Sequence, residues 1–380
     1  MLYIHGFDPR GPRPYHAVFT EEAARAAALG GRPVEVGPRR RRGGDAAWTV
    51  VTGEGRDKVE TDYLFLRWHD RVRARWSKNE LQLLGELWLW FWAWTSNGFL
   101  GRAAREARAL FYAMLSTPIV VGLFVISGLI VVGLVAFVAG IAAHGFGLPY
   151  WTGGLAGLTT LLLAPLIWRR LEARLNVCWL SRCFTYMRRR HAGERADLAE
   201  RDAVFAREIA EAAADPTVDE VLVVGHSLGA LHAVSALAKA LREEPGLGSD
   251  GRVSLMTLGQ PIPVYTALDG DPDFVADLQA LASATHVPWL DVTSPSDPAS
   301  ACALPVLEAV EAPARRLVQR SPRFHVFLEP ERFRAIRRSP IDFHFQYLRA
   351  PDRPGGFDYF AFVGGSVRMA DQPWAREAVK

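Results

Sequence analysis

The sequence predicts an α/β protein, a mostly parallel sheet flanked by helices, into which a two-helix transmembrane hairpin is inserted. Three observations predict it. Short apolar runs of strand type alternate with Ala-rich helical segments over residues 194–292, the pattern of a parallel sheet covered on both faces. The stretch Ala109 through Trp168 holds no Asp, Glu, Lys or Arg across 60 residues. A Gly-x-Ser-x-Gly pentapeptide, Gly225-His226-Ser227-Leu228-Gly229, stands between an apolar run and an Ala-rich run. The whole chain has 380 residues, 49% hydrophobic and 22% charged, with three cysteines. That composition excludes a disordered chain and a disulfide scaffold. A net charge of +3 is too small to indicate a nucleic-acid partner.

The uncharged stretch contains two runs, about 117–142 and 148–168, separated by His144-Gly145-Phe146-Gly147. A helix needs about 20 mostly apolar residues to cross the hydrocarbon core, and each run is long enough. Tyr150 and Trp151 stand where interfacial aromatics belong, and Gly153-x-x-x-Gly157 offers a small-residue face to a partner helix. Arg102, Arg105 and Arg108 precede the hairpin and Arg169, Arg170 and Arg174 follow it, while the connecting turn carries no basic residue. The positive-inside rule then puts both flanks, both termini and any catalytic unit in the cytoplasm, in a bacterial inner membrane. Cys178, Cys183 and Cys302 would be reduced thiols there. They lie outside any metal-binding spacing, so neither metal nor cofactor is expected. The N-terminus lacks the charged and long apolar regions of a cleavable signal peptide.

Ahead of the hairpin, residues 87–94 hold five aromatics in eight positions, suited either to an interfacial helix or to a lid over an acyl-binding surface. Residues 2–4, 48–52 and 63–68 read as strands. Arg39 to Arg42 reads as a solvated loop, with attraction to anionic lipid as its functional alternative. Residues 194–214 read as a helix that Asp215-Pro216 ends. Residues 218–224, 253–258, 289–292 and 324–328 read as further strands, and 230–242 as a helix.

The two glycines around Ser227 permit a strand-to-helix turn so sharp that the serine is strained and its Oγ projects above the sheet. This segment resembles the nucleophile elbow of the α/β-hydrolase superfamily, and Gly-His-Ser-Leu-Gly is similar to lipases and esterases. Residues 2–7, Leu-Tyr-Ile-His-Gly-Phe, resemble the strand and His-Gly turn that supply an oxyanion-hole N–H in that superfamily. The resemblance covers residues 1–20 and 191–350. It implies residues 1–108 and 169–380 as the two parts of one hydrolase domain around the hairpin, 109–168. It also implies an oxyanion hole from the N–H groups of Phe7 and Leu228, and the chain order Ser, Asp or Glu, His. That superfamily's sheet has strands ahead of the His-Gly strand, whereas here this strand starts at residue 2. The expectation is a reduced sheet or a start upstream.

Four histidines follow Ser227. His232 falls inside the next helix and His286 precedes the best acids. His325 alternates within the expected strand 324–328, and His344 follows that strand in a loop, as the superfamily's base does. His344 is therefore the expected base, with His325 as the alternative. Asp297, in a proline-punctuated loop past a strand end, is the expected acid. Asp291 inside that strand is the alternative, and Asp269, Asp271 and Asp342 are more distant candidates. The resulting expectation is a membrane-anchored serine hydrolase that cleaves a lipid or small-molecule ester or thioester through an acyl-enzyme. An acyltransferase using the same acyl-enzyme, or a non-catalytic membrane scaffold that keeps the fold, are the alternatives.

Overall fold

A computed structural model describes residues 1–76, 80–191, 196–268, 271–310 and 316–376. The chain divides into two compact units. One comprises Met1–Trp76, Ala93–Leu110 and Tyr186–Lys380, the other Ser77–Trp92 and Phe111–Thr185.

The first unit is mixed α/β. Its strands are β1 (Leu2–Ile4), β2 (Val34–Val36), β3 (Arg40–Arg42), β4 (Asp45–Thr52), β5 (Val59–Leu66), β6 (Val221–His226), β7 (Val253–Leu258), β8 (Trp289–Val292) and β9 (Leu317–Arg320). They form one sheet in the order β2-β4-β5-β1-β6-β7-β8-β9, with β3 paired to β4. Pairing is parallel from β5 through β1 to β9 and antiparallel among β2, β3, β4 and β5. Strands β6, β7 and β8 are buried along their whole length, as expected of strands covered on both faces.

Side-chain alternation divides the core into two layers. Tyr3, Phe65, Val224, Met256 and Leu290 point to a face that also holds Tyr15 and Phe19 of the Pro12–Gly30 helix and Phe343, Tyr347 and Tyr359 from the C-terminal region. On the other face the Gly229–Glu243 helix lies against β6: a Cβ on Gly225 would stand 2.6 Å from Ala230 Cα and 2.8 Å from Ala233 Cβ. The small residues on both sides are what permit so close an approach. From β1 the chain goes outward to β5 and later returns to β6 on the opposite side of β1. The loops leaving β1 and β6 therefore part at a topological switch point, where open α/β sheets hold their ligands.

Residues 324–328 are not a strand. Phe324–Phe327 is a helical turn, and the last strand, β9, lies earlier in the chain. Phe324 and Leu328 are buried while His325 and Val326 are exposed, a spacing of four rather than two. Arg323, at φ 46°, turns the chain out of the extended conformation just before it. The helix read over 194–214 is Ala196–Ala214, and its first two residues lie outside the described residues.

In the second unit two helices, Arg108–Gly145 and Trp151–Leu175, are long and apolar enough, by length and composition, to cross a membrane. They pack through the Gly-x-x-x-Gly face. A Cβ on Gly153 would lie 2.2 Å from Ala136 O, and one on Gly157 would lie 2.6 Å from Val132 O. His144 stacks on Tyr150 at the turn, ring centroids 4.1 Å apart. The aromatic run belongs to the Glu80–Ser96 helix. There Trp90 is buried against Phe184, whereas Trp88 and Trp92 stack on each other and are 63% and 60% exposed.

Candidate active site

Strand β6 ends at His226, and Ser227 makes the turn into the Gly229–Glu243 helix at φ 56°, a left-handed conformation that costs a non-glycine residue about 1–2 kcal/mol. The Ser227 N–H donates to Leu258 O (2.8 Å), and its carbonyl accepts from Ala230 N–H (3.0 Å). Three glycines make room for this turn. A Cβ on Gly229 would sit 2.3 Å from Ile4 O, one on Gly225 would enter the helix, and one on Gly6 would stand 2.8 Å from Ser227 Cβ. The loop after β1 is thereby pressed against the serine.

That loop is tightly held. The His5 ring stacks between Phe65 and Trp68, its Nδ1 donates to Gly6 O (2.7 Å), and the Trp68 indole N–H donates to His5 O (2.8 Å). Burial pushes the His5 imidazole down to about 3, so it is neutral. The Asp8 N–H donates to Gly6 O (2.8 Å), and the Asp8 carboxylate accepts from Arg10 and from Tyr15 OH. Among the described residues, no protein acceptor takes up the N–H of Phe7 or of Leu228. Both stay available beside the strained serine.

The structure brings Asp297 and His344 together. Asp297 lies in the loop after β8, and His344 ends the short Pro340–His344 helix rather than lying in a loop. Both are about 1% exposed, and His344 Nδ1 donates to Asp297 Oδ2 at 2.8 Å. The carboxylate also accepts from Tyr347 OH (3.0 Å) and from Ala299 N–H (3.0 Å), while Tyr347 OH accepts from Ser294 N–H (2.8 Å). His226, the residue before the serine, donates from Nε2 to His344 O (3.0 Å), with ring centroids 4.9 Å apart. Burial pushes His226 down to about 3 as well, so a neutral imidazole links the elbow to His344. Gly259, directly after β7 at φ 55°, leaves the space this pair needs: a Cβ there would stand 2.7 Å from Tyr347 Cε2 and 3.0 Å from His344 Cε1.

The other candidates are placed elsewhere. Asp291 lies opposite Thr257 across the β7–β8 ladder and accepts from Thr257 Oγ1 (2.7 Å) and the amides of Gln260 and Gln319 (3.3 Å each). Burial pushes this carboxyl up to about 6. His325 is exposed, and among the described residues its ring faces only Phe333, 6.2 Å away. Asp271 caps the Pro272–Ser283 helix through Phe274 N–H (2.9 Å), and Asp342 accepts from Arg349 (3.1 Å). Asp269 lies outside the described residues. His286 bonds the Leu247 carbonyl (3.0 Å). His232 is fully buried on the elbow helix between Tyr186 OH (2.9 Å from Nε2) and the Asp202 carboxylate.

Sequence reasoning missed His226, Gly259 and Tyr347 as parts of the site. Gly259 carried a usable signal, a glycine directly after an apolar strand, and Tyr347 is one helical turn past His344. Chemically, a strained hydroxyl, a carboxylate-held imidazole and two available backbone N–H groups are the parts that acyl transfer requires. Comparison with known proteins adds no relative: no family model matches the chain, and neither a curated protein nor a solved structure matches it.

Proposed function

We propose that this chain is a membrane-anchored serine hydrolase of the α/β-hydrolase type that cleaves an ester or thioester. The observation that carries the reading is the pairing of a left-handed Ser227 at the end of β6 with a buried Asp297–His344 hydrogen bond of 2.8 Å. The elbow helix, the switch-point position and the two available N–H groups support it. With Nδ1 engaged by Asp297, His344 takes the Ser227 proton through Nε2 as the oxygen attacks the carbonyl carbon. The N–H groups of Phe7 and Leu228 receive the negative charge of the tetrahedral oxyanion. His344 then returns the proton to the departing alcohol or thiol. Water, deprotonated by the same imidazole, attacks the acyl-enzyme and frees the acid. Anchoring by the hairpin favours a lipid or acyl-chain substrate, and the flanking arginines favour a cytoplasmic catalytic unit.

The test is labelling of the membrane-bound protein with a fluorophosphonate probe. Wild type should label and Ser227→Ala should not; absence of wild-type labelling refutes the reading. His344→Ala should abolish ester turnover and His325→Ala should leave it intact. A reporter fused after Lys380 should be active only in the cytoplasm.

A further inference from the structure

The run Arg39 to Arg42 does not stand alone. Arg39 and Arg41 line an open cleft of about 460 Å³ together with Arg10 and Arg13, which follow β1, and Arg67 and Arg73, which follow β5. Strands β1 and β5 run parallel to β6, so these four residues leave the same edge of the sheet as Ser227.

The charge in this cleft is only partly balanced by the protein, and Arg40, which also lines it, is paired with Asp62. Arg10 is committed to Asp8 at 2.6 Å. Among the described residues, the guanidinium groups of Arg41, Arg67 and Arg73 bond only the backbone carbonyls of Gly43, Gly44 and Pro9, and no hydrogen bond or ion pair engages Arg13 or Arg39. One acid lines the cleft, Asp45, which is 3% exposed and accepts from the Arg67 backbone N–H at 2.6 Å. Two further buried side-chain nitrogens lack a hydrogen-bond partner among the described residues. Arg67 Nε is buried with no hydrogen-bond partner, and so is Nδ1 of His69, a lining residue only 5% exposed. Five guanidinium groups without a carboxylate, drawn from three segments into one concavity, repel one another unless an anion joins them. The planar fork of arginine matches phosphate oxygens two at a time. A single carboxylate would leave most of these donors unused.

We propose that this cleft is a binding site for a phosphate group, carried by a lipid headgroup or by a soluble phosphate compound. The site does not depend on the hydrolase reading, and Ser227→Ala should bind as wild type does. The test is calorimetric titration of the full-length protein in nonionic detergent. One arm uses inorganic pyrophosphate; the other uses dioctanoylphosphatidylglycerol, with dioctanoylphosphatidylcholine as the zwitterionic control. Saturable binding that weakens with added salt is expected. The variant R13Q/R39Q/R41Q should weaken it at least tenfold. These three side chains are exposed and hold no acid, so its circular dichroism and melting temperature should match wild type. Preference for pyrophosphate assigns the site to soluble phosphates, and preference for the anionic lipid over both other ligands assigns it to headgroups. Absence of saturable binding in both arms, or a triple variant that binds as wild type, overturns the proposal.

Discussion

Replacing Gly259 by alanine tests whether the space around His344 is as tightly specified as the distances indicate. The residue sits at φ 55°, where any side chain costs about 1–2 kcal/mol. The new methyl would stand 2.7 Å from Tyr347 Cε2, 3.0 Å from His344 Cε1 and 3.3 Å from Asp297 Oδ2. None of the three can retreat cheaply, since Tyr347 is fully buried with its hydroxyl fixed between Asp297 and Ser294. Overpacking of this kind costs about 1–3 kcal/mol. The combined loss is then about 2–5 kcal/mol, which lowers the melting temperature by roughly 2–4 °C per kcal/mol in a unit of this size. Relief of the clash requires His344 to move, and a shift of about 1 Å at a reacting group can cost on the order of 100-fold in rate. Full-length Gly259→Ala in detergent should therefore melt at least about 4 °C lower and react with a fluorophosphonate at least about tenfold more slowly. Gly30→Ala is the control, because a Cβ there meets nothing within 4 Å. Wild-type melting and labelling by Gly259→Ala would refute the reasoning.

Three further outcomes follow from the same contacts. Tyr347→Phe removes a donor from Asp297 and strands the buried Ser294 N–H, so it should cost about 1–3 kcal/mol in thermal unfolding and slow labelling; unchanged values in both would count against the role given to this hydroxyl. His5 and His226, both pushed down to about 3, bind protons more readily unfolded, so the stability they contribute is complete above about pH 6.5 and is lost as the pH falls. At pH 5 the loss should be roughly 2 kcal/mol for each, read as a lower urea midpoint than at pH 7, and an unchanged midpoint contradicts their burial as neutral groups. Asp202→Ala withdraws the carboxylate beside the buried His232 ring and 3.7 Å from the Arg190 guanidinium, which should destabilise by about 3–5 kcal/mol; a loss below about 1 kcal/mol would mean that this cluster is solvated.

What could be read from the chain differs by element for physical reasons. Strands β1, β7 and β8 were legible to the residue because each is a short, mostly apolar run bounded by turn residues and buried on both faces. The two long apolar helices were legible because no charged residue interrupts the run from Ala109 to Trp168, and their Gly-x-x-x-Gly contact because only glycine lets two backbones approach so closely. Strand β3 was not, since three consecutive exposed arginines carry no apolar pattern and are extended only because β4 offers them backbone partners. Residues 324–328 misled for the opposite reason: their β-type composition gave way to the burial of Phe324 and Leu328 on one side of a turn. In the site, Ser227 was legible because its strain is imposed by adjacent residues. The contacts that make Gly259, Tyr347 and His226 part of the site bridge distant segments, His226 to His344 and Tyr347 to Ser294 and Asp297, and no local pattern shows them.

The His-Gly strand that starts at residue 2 lies in the middle of the sheet. A central strand needs a neighbour on each side, and β1 has β5 on one and β6 on the other, both supplied from later in the chain. Residues 34–66, which lie outside the stretches that resemble the superfamily, build β2 to β5 on one side of β1. Order in the sheet is set by which strands can bury their faces together, whatever their order in the chain. The departure of β5 to one side of β1 and the return of β6 to the other opens the switch point at which Gly6 meets Ser227. This chain order is thus compatible with the proposed chemistry, because that chemistry requires only that the loops leaving β1 and β6 face each other.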